Sequence, residues 1–310
     1  MQTTNFKELS DSEIQQKIID SPLKFKDNFV FFSTEFGGFT RNPRWLHVPI
    51  DDHGFHRGDG VFEAIKAVRG KLFLLQPHID RLWRSAAMID LNPPLSKEQL
   101  SAIVEQGVRM CETPETIIRI YCTRGPGGFG VSPTESLGSQ LYVVIMKRKD
   151  LPAEKYGSGV SVGISKVPWK PGFFSQVKSL NYLPNVLMKH EGNKRGFDFM
   201  VGVDDEGFLT EGPTENLVVL SKDGKLLHPR LSKMLKGCTM TRLFDLVEEA
   251  RLLPVSREAK LHIEDLKSAQ EIFMVGTTLD VLPVARVEET AKPLGPWAKK
   301  LLEVLLKDQA

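Results

Sequence analysis

Apolar and polar residues follow two different periods along the first half of the chain. Short runs rich in β-branched and aromatic residues are typical of strands. Such runs cover residues 29–33, 61–68, 72–75, 117–123 and 141–147. Residues 77–89 instead place Ile79, Leu82 and Ala86 on one face with helical spacing, and a second helix is predicted over residues 96–110.

The pattern restarts after residues 149–159, a charged and then glycine-rich segment that is typical of a domain connector. Strands are predicted at 160–164, 199–203, 217–220 and 271–275, and helices at 183–195, 241–253 and 263–268. Ahead of both halves, Ser10 and Glu13 form a capping-box pattern that predicts a short helix. The prediction is an α+β chain with an N-terminal extension (1–27), a small domain (28–150) and a larger domain (151–310).

Composition narrows the class of protein. The chain of 310 residues carries 41 basic and 39 acidic side chains, a formal net charge of +2. This balance gives no electrostatic basis for binding nucleic acid or an anionic membrane, and the apolar runs are too short to span a bilayer. The three cysteines share no metal or redox spacing, and the N-terminus lacks the apolar core of a secretory signal. We therefore expect a cytosolic protein without a metal site.

Lys178 and Glu211 are the first candidate chemical pair. Lys178 lies in an apolar stretch, and Glu211 follows beyond a turn that closes at Gly207. A lysine amine can form a Schiff base with an aldehyde, and a carboxylate can keep a pyridine nitrogen protonated. Each residue also has an ordinary interpretation, namely a surface lysine before a loop and an exposed turn acid.

Several further residues are suited to holding a phosphate. Gly237, Cys238 and Thr239 precede a helical pattern, so free backbone N–H groups and a hydroxyl would meet at a helix start. Thr277 and Thr278 place two hydroxyls at the end of a predicted strand. Arg81 lies at the edge of a helical apolar face, where an arginine is either a solvated rim residue or a phosphate ligand.

Taken in chain order, these residues resemble the class IV, or fold-type IV, pyridoxal-phosphate aminotransferases over about residues 30–287. The segments Asp-Asp-His-Gly at 51–54, Gly-Asp-Gly-Val-Phe-Glu at 58–63 and His-Ile-Asp-Arg-Leu at 78–82 carry the resemblance in the first half. The resemblance implies a homodimer of two-domain subunits, with pyridoxal 5′-phosphate in the cleft between the domains.

The resemblance also implies a role for each site residue. Lys178 would hold the cofactor as an imine and move the substrate Cα proton, which requires a neutral amine whose pKa is lowered by burial. Glu211 would pair with the pyridine nitrogen. Further cofactor contacts are implied for Arg81, Tyr182, Leu235, Cys238, Thr239 and Thr277. A keto acid would then take up the amino group, which makes the kinetics ping-pong.

Motifs for the substrate disagree between branches of the family. The loop at residues 123–131 has Phe129 and Val131 where D-amino-acid transaminases carry an arginine and a histidine, and it ends like the loop of branched-chain enzymes. Arg119 aligns with an arginine that branched-chain enzymes use toward substrate. By contrast, Lys178-Ser179-Leu180-Asn181 resembles the D-amino-acid transaminases and the aminodeoxychorismate lyases, and the plant-type members are the most similar overall.

These residues predict an amino-acid substrate with an apolar side chain, of either D or L configuration. Phe62, Phe129 and Val131 would form an apolar wall, and Arg119 and Arg124 would receive anions. Thr278 is assigned to the substrate side. The ordinary interpretation of Arg124 is a solvated loop residue. Two alternatives remain open: a lyase that releases pyruvate from aminodeoxychorismate, and a non-catalytic relative that binds the cofactor or a protein partner.

Overall fold

The computed structural model describes residues 7–23 and 29–310 and contains two β-sheets. The first sheet has the order β2-β1-β6-β5-β3-β4, and all its pairings are antiparallel. Its strands are β1 (Phe29–Ser33), β2 (Gly38–Thr40), β3 (Gly60–Val68), β4 (Lys71–Phe73), β5 (Thr116–Thr123) and β6 (Gln140–Lys147).

Four helices precede or separate these strands along the described chain: α1 (Asp11–Asp20), α2 (His53–His56), α3 (Leu75–Met88) and α4 (Lys97–Met110). Side chains alternate between the two faces of a strand, so β3 directs Val61, Ile65 and Ala67 toward α3 and α4 in one buried core. Phe62, Ala64 and Lys66 lie on the opposite face of β3. The predicted capping box of α1 is confirmed, because Ser10 and Glu13 bond reciprocally across its first turn.

The second sheet is mixed and has the order β11-β10-β9-β12-β13-β7-β8, with β14 paired to β13. Its strands are β7 (Val160–Ile164), β8 (Phe199–Val201), β9 (Asn216–Leu220), β10 (Leu226–Pro229), β11 (Val255–Ala259), β12 (Glu271–Gly276), β13 (Asp280–Val287) and β14 (Thr290–Ala291). Its helices are α5 (Glu154–Ser158), α6 (Gly172–Gln176), α7 (Leu183–Arg195), α8 (Cys238–Glu249), α9 (Ile263–Ser268) and α10 (Trp297–Asp308).

Several elements differ from the prediction. The strand predicted at 72–75 ends at Phe73, because Leu74 turns in the left-handed region (φ 56°) and α3 begins at Leu75. The helix predicted at 241–253 begins at Cys238 and ends at Glu249, since Gly237 caps its start and Arg251 has a positive φ of 51°. The connector contains the short helix α5. The predicted boundary at residues 27 and 28 lies outside the described residues.

The two sheets are joined by buried contacts. Lys66 of β3 forms an ion pair with Asp280 of β13, and the Lys66 side chain is 1% exposed. Val177, which follows α6 in the second half of the chain, packs in the core of the first sheet. Next to it, Ser179 bridges to Val61 of β3. The segment after α6 is therefore held against the first sheet.

Among the described residues, no helix is both long and apolar enough to cross a bilayer.

Candidate active site

A cavity with a volume of about 260 Å³ is lined by residues from both halves of the chain. It brings together most of the predicted site, including residues that lie far apart in the sequence. The predicted residues that line it are Phe62, Arg81, Arg119, Lys178, Tyr182, Glu211, Leu235, Cys238, Thr239, Thr277 and Thr278.

Backbone contacts with the first sheet position Lys178. Its carbonyl accepts a hydrogen bond from the Phe62 N–H at 2.9 Å, and its own N–H donates to Ser85 Oγ at 3.2 Å. The Lys178 Nζ lies 4.6 Å from the centroid of the Phe62 ring, inside the cavity. Burial, assisted by the charge of Arg81, lowers the pKa of Lys178 to about 8. A neutral amine is therefore accessible near neutral pH.

Glu211 is buried, and donors of the protein hold both its carboxylate oxygens. The Leu235 N–H donates to Oε1 at 3.1 Å, and Asn216 Nδ2 donates to Oε2 at 3.0 Å. Burial raises the pKa of Glu211 to about 7, while the charge of Lys170 is the largest influence that opposes this rise. This arrangement excludes the alternative of an exposed turn acid.

Arg81 is also buried, which excludes the alternative of a solvated rim residue. Its Nε and Nη2 donate to the two oxygens of Glu63 at 2.6 and 2.9 Å, and its Nη1 donates to the Lys236 carbonyl at 3.1 Å. His78 Nδ1 contacts the same carboxylate at 2.8 Å. Despite complete burial, Arg81 and His78 hold the pKa of Glu63 far below its ordinary value. The guanidinium is thus fixed in place and still lines the cavity.

The start of α8 is the other polar part of the wall. Gly237 caps this helix without a side-chain bond, and a Cβ at this position would collide with Asn216 Oδ1. Thr239 Oγ1 lies 3.5 Å from Thr277 Oγ1, so two hydroxyls meet beside the free N–H groups of the helix. Burial raises the pKa of the Cys238 thiol, but Arg81 and His78 outweigh burial and leave that pKa below its ordinary value.

Aromatic and apolar side chains complete the wall. The Tyr182 hydroxyl donates to the Pro213 carbonyl at 3.0 Å, and the Phe62 ring meets the Tyr182 ring edge-on at 5.0 Å. Leu235 lines the cavity beside Glu211. The site therefore combines an amine, a carboxylate, a helix start with free N–H groups and an apolar surface.

Three predicted substrate residues are not in this cavity. Arg124 binds both oxygens of Asp59 at 2.9 and 3.0 Å, and it also donates to the Ile89 and Asp90 carbonyls. Phe129 and Val131 are 63% and 83% exposed. Within this chain, Phe62, Phe129 and Val131 do not form the predicted wall, and the Arg124 guanidinium is paired with Asp59, so it is not a solvated loop residue. The loop lies apart because Arg57 binds the Phe129 and Gly130 carbonyls.

Arg119 has the opposite environment. It lines the cavity from β5, and its guanidinium has no hydrogen-bond or ion-pair partner within the described part of the chain. Its place follows from strand alternation, because Ile118 and Ile120 face the helices and Arg119 faces the other side.

Asn216 and Lys170 are two of the cavity residues that the sequence does not predict. Asn216 holds Glu211 and also donates to the Leu235 carbonyl at 3.0 Å. It ends the run at residues 210–216 that contains Glu211, so its neighbourhood in the sequence was a usable signal. Lys170 lines the cavity from the loop before α6, and no motif or spacing marks it.

Comparisons with known proteins identify the family of this chain. Residues 60–287 match the family model described as amino-transferase class IV. The chain is 34% identical over 284 residues to a D-amino-acid transaminase, chloroplastic, of Arabidopsis thaliana, covering 89% of this chain and 75% of the relative. It is 29% identical over 248 residues to a D-alanine aminotransferase of Bacillus licheniformis, covering 78% and 83%.

A solved structure of similar fold is the T.th. branched-chain amino acid aminotransferase with pyridoxamine 5′-phosphate. It superposes with a TM-score of 0.84 and 25% sequence identity, and the match covers 90% of this chain and 93% of the other. The residues that line the cavity fit such a cofactor, because Lys178 supplies the amine, Glu211 the carboxylate and the α8 start the anion site. The chain belongs to the class IV aminotransferases and is a transaminase that depends on pyridoxal 5′-phosphate.

Proposed function

We propose that Lys178 is the residue that holds the cofactor and moves the substrate proton in this transaminase. The observation that carries the proposal is the convergence of Lys178, Glu211 and the α8 start on one cavity. When bound, pyridoxal 5′-phosphate supplies an aldehyde and an electron-accepting ring. The near-neutral pKa of Lys178 suits an amine that takes a proton from the substrate Cα and returns it.

The remaining cofactor residues would bind and orient. Glu211 would accept a hydrogen bond from the pyridine nitrogen, with Asn216 and Leu235 keeping its carboxylate in place. Thr239, Thr277 and the N–H groups at the α8 start would receive the phosphate. Arg81 supports this site with a charge that Glu63 fixes in position, and Tyr182 and Leu235 would flank the ring. This assignment places the cofactor in the cleft between the two halves.

The proposed substrate is an amino acid with an apolar side chain. Phe62 supplies apolar surface in the cavity, and Arg119 is a cation without a bonded partner among the described residues, so it suits the substrate carboxylate. Thr278 lies beside Thr277 at the rim and stays on the substrate side of this proposal. The relatives differ in configuration and side chain, so we propose no preference between D and L amino acids.

The test is a panel of D- and L-amino acids incubated with 2-oxoglutarate and the cofactor-loaded protein. We expect glutamate to form with at least one apolar amino acid and the visible absorbance of the cofactor to fall when the amino acid alone is added. A separate incubation with aminodeoxychorismate tests the lyase alternative. Pyruvate release there, without glutamate formation in the panel, would replace the transaminase by the lyase.

We also propose a homodimer, in which a second copy covers the outer face of the first sheet. An apolar groove on that face is lined by Phe31, Leu46, Val48, Phe55 and Tyr142, among others. Light scattering should give twice the 34.8 kDa chain mass. The three cysteines, odd in number and without metal or redox spacing, support a reducing compartment such as the cytosol. We place the boundary of the two proposed domains at residues 150 and 151.

A further inference from the structure

Lys170 is a second lysine in the active-site cavity, and it has no role in the assignment above. Its Nζ lies 5.2 Å from the centroid of the Trp169 ring and 5.5 Å from that of the Tyr182 ring. The Trp169 Nε1 donates to the Lys233 carbonyl at 2.7 Å, which fixes this loop against the residues before α8. The ammonium is therefore held by packing over two aromatic faces.

The charge of Lys170 has one near counterpart. Its ammonium makes no hydrogen bond and no ion pair to any described residue, and both Lys170 and Glu211 line the same cavity. Burial lowers the pKa of Lys170, and Glu211 is the charged group that opposes this effect. The other cation at this end of the cavity, Lys178, is needed there as a neutral amine.

Titratable groups on four elements act on Glu211, namely three basic side chains and one phenol that burial keeps neutral. Lys170 faces it from the loop before α6, Lys178 from the segment against β3, Arg81 from α3 and the Tyr182 phenol from the start of α7. The positive charge of Arg81 is already balanced by its direct ion pair with Glu63. Among these groups, Lys170 has the strongest effect on the charge of Glu211, ahead of Lys178 and Arg81.

We propose that Lys170 is a positioning residue that acts through Glu211, whose carboxylate it keeps ionised across the cavity so that the site is ready for the cofactor. Because Lys170 is also a like charge near Lys178, it favours the neutral form of that amine as well. One cation thus favours the reactive form of both partners. This inference rests on the proposed function of Lys178 and Glu211.

The test measures how the full-length apoprotein captures pyridoxal 5′-phosphate from about pH 6 to about pH 10. The growth of visible absorbance gives a capture rate at each pH, without any need for turnover. For the wild type we expect the rate to rise with pH around the Lys178 pKa of about 8. In Lys170→Met, both Lys178 and Glu211 lose a nearby positive charge, so the pH profile should move upward by about 0.5–1 unit.

Matched variants separate charge from packing. Lys170→Arg keeps the charge and should stay within about 0.3 unit of the wild type. Lys166→Met removes an exposed lysine from the same segment and should give the wild-type profile. Lys170→Gln removes the charge with a polar side chain, so it replaces Lys170→Met if that variant does not fold.

An unshifted profile in both neutral variants, or an equal shift in Lys170→Arg, would overturn the role of Lys170 while leaving Lys178 and Glu211 in theirs. The proposed function fails separately, namely if the wild-type protein gains no visible absorbance with pyridoxal 5′-phosphate at any pH.

Discussion

Two clusters of charged side chains at the active site are built in opposite ways. In one, Glu63 is bonded directly to Arg81 and His78, and none of the three side chains is more than slightly exposed. In the other, Lys178, Lys170 and Glu211 line the cavity without an ion pair among them. Direct contact moves the pKa of Glu63 far from neutrality, whereas separation leaves Glu211 near 7 and Lys178 near 8.

The difference in bonding gives the two clusters different roles. The bonded cluster of Glu63, Arg81 and His78 is a structural support, whereas Lys178 and Glu211 are reactive groups. A bonded ion pair has fixed charges at every physiological pH, which suits a residue that must stay in one place. Groups that are buried but unpaired lie close to the pH at which they exchange protons, which suits an amine and an acid that must react. Substitutions in each of the two clusters test this comparison.

The largest effect is expected for Lys178, in the cluster that lines the cavity. Lys178→Ala removes the amine that binds the cofactor and moves the proton, so transamination should fall by at least about 10³-fold. Visible absorbance after addition of pyridoxal 5′-phosphate should be lost as well. Lys166→Ala, which truncates an exposed lysine, is the control. Wild-type absorbance and turnover in Lys178→Ala would contradict the central assignment.

In the bonded cluster of Glu63, Arg81 and His78, substitutions are expected to change the stability of the fold. Glu63→Gln leaves Arg81 buried without its counter-charge and should lower the free energy of unfolding by about 3–5 kcal/mol. Asp80→Asn breaks the more exposed pair between Asp80 of α3 and Lys97 of α4 and should cost less than about 1 kcal/mol. Urea denaturation of the three proteins measures both values. Equal losses in the two variants would mean that the buried pair contributes no more than a surface pair.

Glu211→Gln should show a stability effect that depends on pH. The folded-state pKa of about 7 lies above the ordinary value of 4.5, so this group contributes stability below 4.5 that is lost as the pH rises through 7. The variant lacks this loss. From about pH 5 to about pH 8, its stability relative to the wild-type apoprotein should therefore improve by about 1–3 kcal/mol. If the difference in stability between the variant and the wild type stayed constant across this range, the folded-state pKa of Glu211 would not be raised.

The two arginines considered for the substrate repeat the comparison on a smaller scale. Arg119 lines the cavity without a bonded partner in the described part of the chain, so Arg119→Gln should raise the KM for the amino or keto acid by about tenfold. Arg124 is bonded to Asp59, so Arg124→Gln should leave KM within about twofold and lower the stability by about 1–3 kcal/mol. Steady-state kinetics and urea denaturation distinguish the two. A larger KM effect for Arg124 would reverse this assignment.

Local patterns explain which elements could be predicted. The strands β1 and β7 and the helices α7 and α9 have the predicted bounds, and α7 ends where Gly196 turns into the left-handed region. β13 was not predicted because Pro283 interrupts its apolar run, and a proline ordinarily argues against a strand. β11 was not predicted because its residues, Val-Ser-Arg-Glu-Ala, are mostly polar.

The site residues also divide into those that short motifs predict and those whose position depends on the fold. Lys178, Glu211 and Thr239 lie in short motifs whose chemistry is local, so the sequence indicated them. Lys170 became visible only in the fold, because its position relative to Glu211 depends on how the loop before α6 packs. Likewise, nothing in the residue type distinguishes Arg119 from Arg124, since the partner of Arg124 comes from a separate segment.

The attachment of the Lys178 segment to β3 has a mechanical consequence. Val177 packs in the first core, and the Lys178 carbonyl is bonded to Phe62, while Glu211 belongs to the other half of the chain. Lys178 is therefore attached to the first half of the fold and Glu211 to the second. A hinge motion between the two halves would change the distance between the amine and the carboxylate. For the same reason, a cut at residues 150 and 151 would separate the lysine from the sheet that supports it, so neither fragment would be a self-sufficient module.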